Sequence, residues 1–157
     1  MKKAILNKTY LFEWNAPNPI NGTPVLTINS TNYNFTQTRA AASVSAIGND
    51  RRTLTIANQA VGLQRDQIKG FLITSGDTYY SININRVVGT TAVLAEPLPR
   101  DIDLTSAASL EFALWTTSID SSEAVLTTAN TYAYVINYTG DLGANNHSKQ
   151  EKGLFKS

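Results

Sequence analysis

The chain of 157 residues contains no cysteine, one histidine and one methionine. Without cysteine there are no disulfides, iron–sulfur clusters, thiolate zinc sites or cysteine nucleophiles. A single histidine excludes metal sites built from several imidazoles and leaves little room for a histidine relay. Charge is sparse as well, at 16% of residues, and 13 basic side chains nearly balance 12 acidic ones. No stretch approaches the roughly 18 apolar residues of a membrane-spanning helix, so no membrane partner is expected. Met1-Lys2-Lys3-Ala4-Ile5-Leu6 opens like a secretory signal. Asn7-Lys8-Thr9 ends that apolar run far short of the about 7–15 residues a signal needs. The sequons at Asn7, Asn29 and Asn137 then read as by-products of an Asn/Thr-rich composition. Catalysis, a cofactor and a resident metal are not expected.

What is present is alternation. Tyr10, Phe12 and Trp14 fall on one face of a period-2 segment that Asn15-Ala16-Pro17-Asn18-Pro19 ends. Pro24 to Ser30 places Leu26 and Ile28 on one face and Val25 and Thr27 on the other, and Tyr33 and Phe35 mark a third strand. Ala42 to Ile47 runs through the turn Gly48-Asn49-Asp50-Arg51 into Thr53 to Ile56, a hairpin pattern. Gly70 to Thr74, the turn Ser75-Gly76-Asp77 and Thr78 to Val88 form the clearest hairpin. Gly89-Thr90-Thr91 turns into Ala92 to Ala95, which Pro97 and Pro99 break. Ser109 to Thr117 and Thr131 to Thr139 are the last strands. Only Asn58 to Lys69 suggests a helical turn. Eight to ten short antiparallel strands predict an all-β fold, a β-sandwich or barrel with extended terminal arms. A short likeness between residues 74–79 and 127–132 is explained equally by duplication or by shared turn-then-strand chemistry.

Length makes one domain the default, here residues 1–140. Residues 141–157 form a polar, lysine-bearing C-terminal segment, read as a mobile tail or as an arm that orders on a neighbour. Leu154 and Phe155 favour the docking arm. His147 lies in this segment between Asn146 and Ser148, without the held geometry a general base needs, and reads as a solvated histidine.

The near-neutral balance is a cancellation along the chain. Residues 1–100 carry +5, residues 101–141 carry −6 with no basic residue, and residues 142–157 return +2. All six arginines, Arg39, Arg51, Arg52, Arg65, Arg86 and Arg100, lie in the middle of the chain. Six of the seven lysines lie near the two ends. Arginine's planar fork suits fixed contacts at interfaces, whereas lysine solvates flexible ends. Arginine and carboxylate patches could therefore join identical copies head to tail, although chain segments are not surfaces and ordinary solvated faces read as well.

Other constellations are weaker. Glu96, Asp101 and Asp103 are close in sequence, but proximity does not place two carboxylates across a cleft, and the segment lacks the glycine and closing glutamate of a calcium loop. Arg51 and Arg52 without a wider basic stripe give little reason to expect nucleic-acid binding. Tyr79, Tyr80, Tyr132, Tyr134, Tyr138, Trp14 and Trp115 could form a sugar-stacking platform, or else core and cross-strand packing.

One stretch has a recognisable style. Ile68-Lys69-Gly70-Phe71-Leu72-Ile73-Thr74 leads to Asp77-Thr78-Tyr79-Tyr80-Ser81-Ile82, then Gly89-Thr90-Thr91-Ala92-Val93-Leu94-Ala95-Glu96-Pro97-Leu98-Pro99 and Ser106-Ala107-Ala108-Ser109-Leu110-Glu111-Phe112. Upstream, Ser43 to Ile47 and Asn49 to Leu54 fit the same style. This resembles small all-β structural proteins of tailed-bacteriophage virions, particularly neck proteins that join head to tail. The resemblance implies a non-enzymatic virion component, a ring of identical copies around the DNA channel. The ring would dock on portal or adaptor on one side and on tail proteins on the other, with DNA passing nearby without specific binding. Arg51, Arg52, Arg65, Arg86, Arg100, Leu154 and Phe155 are the expected interface residues. Asp101, Asp103, Glu111, Asp120, Glu123 and Asp141 are the candidate lumen-facing acids, which would repel DNA and let it slide. A capsid decoration or tail protein, and a carbohydrate-binding β-sandwich module, are the alternatives.

Overall fold

The computed structural model describes residues 8–57, 68–104, 108–127 and 129–157. These residues are nearly all β, without an α-helix and with a single short 3-10 turn at Gly143–Asn145. The helical turn expected over 58–69 lies outside the described residues, except that Ile68 and Lys69 begin a strand.

The middle of the chain closes on itself. Strands β5 (Ala42–Ile47), β6 (Thr53–Ile56), β7 (Ile68–Ile73), β8 (Tyr79–Val88), β9 (Thr91–Leu94) and β10 (Ser109–Phe112) form a closed six-stranded barrel in the order β10-β5-β6-β9-β8-β7. The three hairpins expected from turn chemistry, β5–β6, β7–β8 and β8–β9, are all present as antiparallel pairs. Register shifts between Val44 and Ala46 and between Ile84 and Arg86 bend strands that must curl to close. Inside lie Leu54, Leu72, Ile84, Leu94, Leu110 and Phe112, each essentially without solvent contact. Burying one such side chain contributes roughly 1.5–3 kcal/mol, so the barrel holds its own core.

The ends of the chain build a second core. Strands β1 (Thr9–Asn15), β11 (Leu114–Asp120) and β4 (Thr36–Gln37) make one sheet. Strands β13 (His147–Lys156), β12 (Thr131–Gly140), β2 (Ile20–Ile28) and β3 (Thr31–Asn34) make another. The two sheets share an apolar core around Trp14, Leu26, Ile28, Phe35, Ile119 and Ile136. Rings from opposite sheets meet there: Phe12 and Tyr134 at 5.0 Å, Trp14 and Tyr138 at 5.0 Å, Tyr10 and Phe155 at 5.3 Å. Such pairs add about 0.5–1.5 kcal/mol each beyond their buried area. The two-residue turn Asn29-Ser30, with both φ positive, joins β2 to β3 in the manner that matches strand twist.

Two expected runs change sheet part-way. Tyr33 and Phe35 belong to one extended stretch, but buried Phe35 is the crossing point between β3 and β4. The run from Ser109 to Thr117 likewise divides at Ala113, leaving β10 in the barrel and β11 in the two-sheet lobe. The polar C-terminal segment departs furthest from expectation. Residues 147–156 are neither tail nor free arm: they are β13, paired with β12 from Thr131↔Lys156 to Gly140↔His147. Ser157 continues the attachment through backbone bonds with Ala129 and Asn130.

Gly153 shows how closely this strand is fitted. The Tyr134 ring lies directly over it, where any Cβ would collide with the ring's hydroxyl end. That end is held because the Tyr134 ring also packs edge-on against Phe12. Gly153→Ala is therefore expected to cost about 1–3 kcal/mol through overpacking. Each kcal/mol corresponds to about 2–4 °C in Tm for a chain of this size. Thermal unfolding followed by circular dichroism checks it, and an unchanged Tm would mean the ring yields freely.

Candidate functional site

The turn between β5 and β6 places Arg51 and Arg52 at one rim of the barrel. Arg51 has φ +61°, and its side chain turns inward: Nη2 donates to the carbonyls of Pro99 and Ile102, the latter at 2.7 Å. The Leu98 N–H donates back to the Arg51 carbonyl at 2.8 Å. Arg51 thus ties down the 97–102 loop, whose Leu98 and Ile102 cover the barrel core. Arg52 is more exposed and donates from Nη1 to the Ala95 carbonyl at 3.1 Å. Asp50 holds the turn by accepting from the Arg52 N–H and the Thr53 hydroxyl, and the first of these bonds leads in drawing its carboxyl below the usual range.

The remaining expected contact residues divide. Arg86 and Arg100 are exposed on the barrel, and Arg65 lies outside the described residues. Arg39, the one arginine not expected at a contact, is buried, with its guanidinium 5.7 Å from the centre of the Phe112 ring. Leu154 is 76% exposed, but its neighbour Phe155 points the other way, into the ring cluster with Tyr10 and Phe12.

The six acids do not gather on one surface. Asp101 and Asp103 are exposed in the loop that Arg51 holds. Asp120 ends β11 opposite Thr9, where it accepts from the Ser122 hydroxyl and N–H, and these two bonds lower its pKa. Glu123 is exposed in the turn that follows. Asp141, at the other end of the lobe, pairs with Lys149 at 3.2 Å and donates its N–H to the Pro19 carbonyl and the Asn18 side chain. Glu111 is half-buried where barrel meets lobe, and its carboxylate accepts the Ile20 N–H at 3.1 Å. His147 is exposed at the start of β13. Among the described residues no group of three or more His, Cys, Asp or Glu is placed to hold a metal ion. No helix among them is long and apolar enough to cross a membrane.

The aromatic residues weighed as a platform mostly serve as core. Trp14 and Trp115 are buried, Tyr132, Tyr134 and Tyr138 pack against the lobe's core, and Tyr79 stands edge-on to Phe71 at 5.6 Å. Tyr80 differs, being 40% exposed. It lines a cleft of about 250 Å³ with Ile82, Asn83, Glu96, Pro97 and Pro99. A second cleft, of about 440 Å³, lies between barrel and lobe and shares Asn83 with the first; Asn15 and Lys69 line it. Alternation along β8 marks Ser81 and Asn83 as outward-facing, but the loops that complete these clefts come from distant segments. Sequence reasoning also missed the exposed Leu11 and Val88, because single apolar residues inside strands look like core, and the exposed Val125 in the turn after β11.

No protein-family model, curated protein or solved structure matches the chain.

Glu111 gives this region a pH response. Burial raises its pKa, and the Ile20 N–H opposes that only in part. A carboxyl whose folded pKa lies above the unfolded value contributes stability that is complete at acid pH and lost as pH rises through the folded value. Glu111→Gln keeps an oxygen acceptor for Ile20 without a buried charge. It is expected to be more stable than wild type at pH 7 and equal to it near pH 4, as read from urea midpoints. A variant less stable at pH 7 would show that the ionised carboxylate is needed.

Proposed function

We propose that this chain is a non-enzymatic structural protein of a tailed-phage virion. Its copies form a ring at the neck, between portal or adaptor and tail, and DNA passes through without specific binding. The sequence resemblance suggests the place. The observation that carries the reading is the single strand run of β10 and β11, which belongs to barrel and paired sheets at once. A ring subunit that touches different partners above and below must transmit load without flexing between its halves, and a shared strand does this. In this reading the paired sheets act as a β-sandwich, with contacts made by outward sheet faces and by the exposed Arg86 and Arg100 of the barrel. Arg51 and Phe155 act inside the subunit, holding the surfaces that touch.

Cryo-electron microscopy of purified particles containing the chain tests this. The expected result is a ring of density at the head–tail junction into which barrel and lobe both fit. Density on the capsid faces or along the tail would replace the neck assignment with a decoration or tail protein, and absence from particles would overturn the virion reading.

Tyr80 favours a second reading, a carbohydrate-binding module. An aromatic ring beside Asn83 and Glu96 offers one stacking face with hydrogen-bonding groups at its edge. A glycan-array signal lost in Tyr80→Ala is the expected outcome under that reading.

A further inference from the structure

We propose that Asn21-Gly22 is a self-modification site, where the folded chain converts Asn21 to a mixture of aspartate and isoaspartate and the isoaspartate product opens the β2–β12 ladder. This goes beyond the virion reading and does not depend on it.

In an Asn-Gly pair the backbone amide of the glycine reaches the preceding carboxamide most easily, because no Cβ obstructs the approach. The pair occurs once in the sequence. A fold suppresses the reaction by tying that amide into a ladder, and here it is left out. The Asp141 N–H donates to the Pro19 carbonyl, and the register continues through Gly140↔Ile20 to Thr139↔Asn21. Bonded and non-bonded pairs alternate, so Asn21 exchanges its backbone bonds with Thr139. The Ile20 N–H accordingly points away from β12, where the Glu111 carboxylate accepts it. The Gly22 N–H is trans to the Asn21 carbonyl and also points away from β12. Beyond it the register jumps from Thr139↔Asn21 to Asn137↔Val25, so Gly22, Thr23 and Pro24 form a bulge. On the other side β3 reaches only to Val25↔Asn34, with a last bond from the Phe35 N–H to the Pro24 carbonyl.

The site is also open. Asn21, Gly22 and Thr23 are exposed, Gly22 has φ +82°, and no described atom lies within 4 Å of where its Cβ would stand. The Asn21 side chain lines a shallow cleft of about 800 Å³ with Thr139 and Ser148. Other asparagine carboxamides are held: Asn18 accepts from the Asp141 N–H, Asn29 donates to the Ala124 carbonyl, and Asn137 accepts from Gln150.

The chemistry needs only water. The Gly22 nitrogen gives its proton to solvent and attacks Asn21 Cγ. The bond from Cγ to the carboxamide nitrogen breaks, that nitrogen takes up a proton and leaves as ammonia, and a cyclic succinimide remains. Water then opens the ring. Opening at Cγ restores the main chain as aspartate, which adds a negative charge among the neutral Asn137, Thr139, Ser148 and Gln150. Opening at the backbone carbonyl routes the chain through Cγ as isoaspartate. The carbonyl that accepted from Thr139 then becomes a free carboxylate on a side branch, and β2 gains a methylene, so the ladder is broken beside Ile20.

Peptide mapping by mass spectrometry tests this on the full chain stored folded at mildly alkaline pH, beside the same chain in concentrated urea. Conversion at Asn21 is expected to outpace that at Asn29, Asn137 and every other mapped asparagine of the folded chain by at least about tenfold. The folded rate should lie within about tenfold of the rate in urea. Anything less on either comparison overturns the site, since it would mean that the fold shields the Gly22 amide. Ion exchange separates the products, and the isoaspartate fraction should melt at least about 2 °C below wild type, whereas Asn21→Asp should keep the wild-type Tm. An isoaspartate fraction that melts with wild type, or an Asn21→Asp variant that falls with it, would overturn the ladder effect.

Discussion

Everything in this molecule turns on Ala113. Its N–H donates to the Lys69 carbonyl in the barrel at 3.0 Å, and its carbonyl accepts the Ala16 N–H from the lobe at 2.8 Å. It is 1% exposed, so neither group has water as an alternative partner, and a buried unpaired backbone group is costly. One residue therefore has to satisfy two structures at once. The strand that enters as β10 is paired with β5 and β7, and the strand that leaves as β11 is paired with β1 and β4. Two cores that could have been joined by a linker are joined by continuous extended backbone.

Polar residues on both sides of Ala113, and in the stretch before β5, are engaged in making that junction. Gln37 donates to the Phe112 carbonyl at 3.1 Å, and Thr38 donates its N–H and its hydroxyl to the Leu114 carbonyl. Arg39 stacks its guanidinium near the Phe112 ring, and Glu111 reaches across to Ile20. These contacts come from the stretch that leads into β5 and from both sides of Ala113. Arginine's planar fork suits fixed contacts between surfaces, and Glu111 reads from the sequence as a candidate lumen-facing acid. Here Arg39 and Glu111 meet a boundary within the chain, which asks for the same chemistry: fixed, directional contacts between two packed bodies.

Local pattern made the fold class legible, and long-range pairing hid the rest. The period-2 stretch Tyr10-Phe12-Trp14 and the turns at 48–52, 74–78 and 89–90 specify strands and hairpins within a few residues of sequence. Phe35 and Ala113 look like any other strand residues, because a change of sheet alters the hydrogen-bonding partner and leaves the alternation intact. Strand β13 was hidden for a different reason. Ser148-Lys149-Gln150-Glu151-Lys152 has no apolar face, yet its inner side is satisfied by the Asp141 carboxylate and the Trp14 indole, with the Tyr134 ring lying over the neighbouring Gly153. Each of those partners is distant in sequence, or, like Asp141, is positioned by Asn18 and Pro19. The internal role of Arg51 was hidden in the same way, since the loop carbonyls it binds lie some fifty residues on.

The charge segregation along the chain survives folding only in part, and the part that survives is informative. Of the acids between 101 and 141, Glu111 is spent at the junction and Asp141 on Lys149, while Asp101 and Asp103 sit on the barrel loop. Asp120 remains on the outer side of β11, joined by Glu13 from the opposite end of the sequence. The late lysines Lys152 and Lys156 follow β13 into the other sheet and face away from that side. Asp120 and the late lysines Lys152 and Lys156 thus lie on opposite sides of one lobe, because β11 and β13 belong to different sheets.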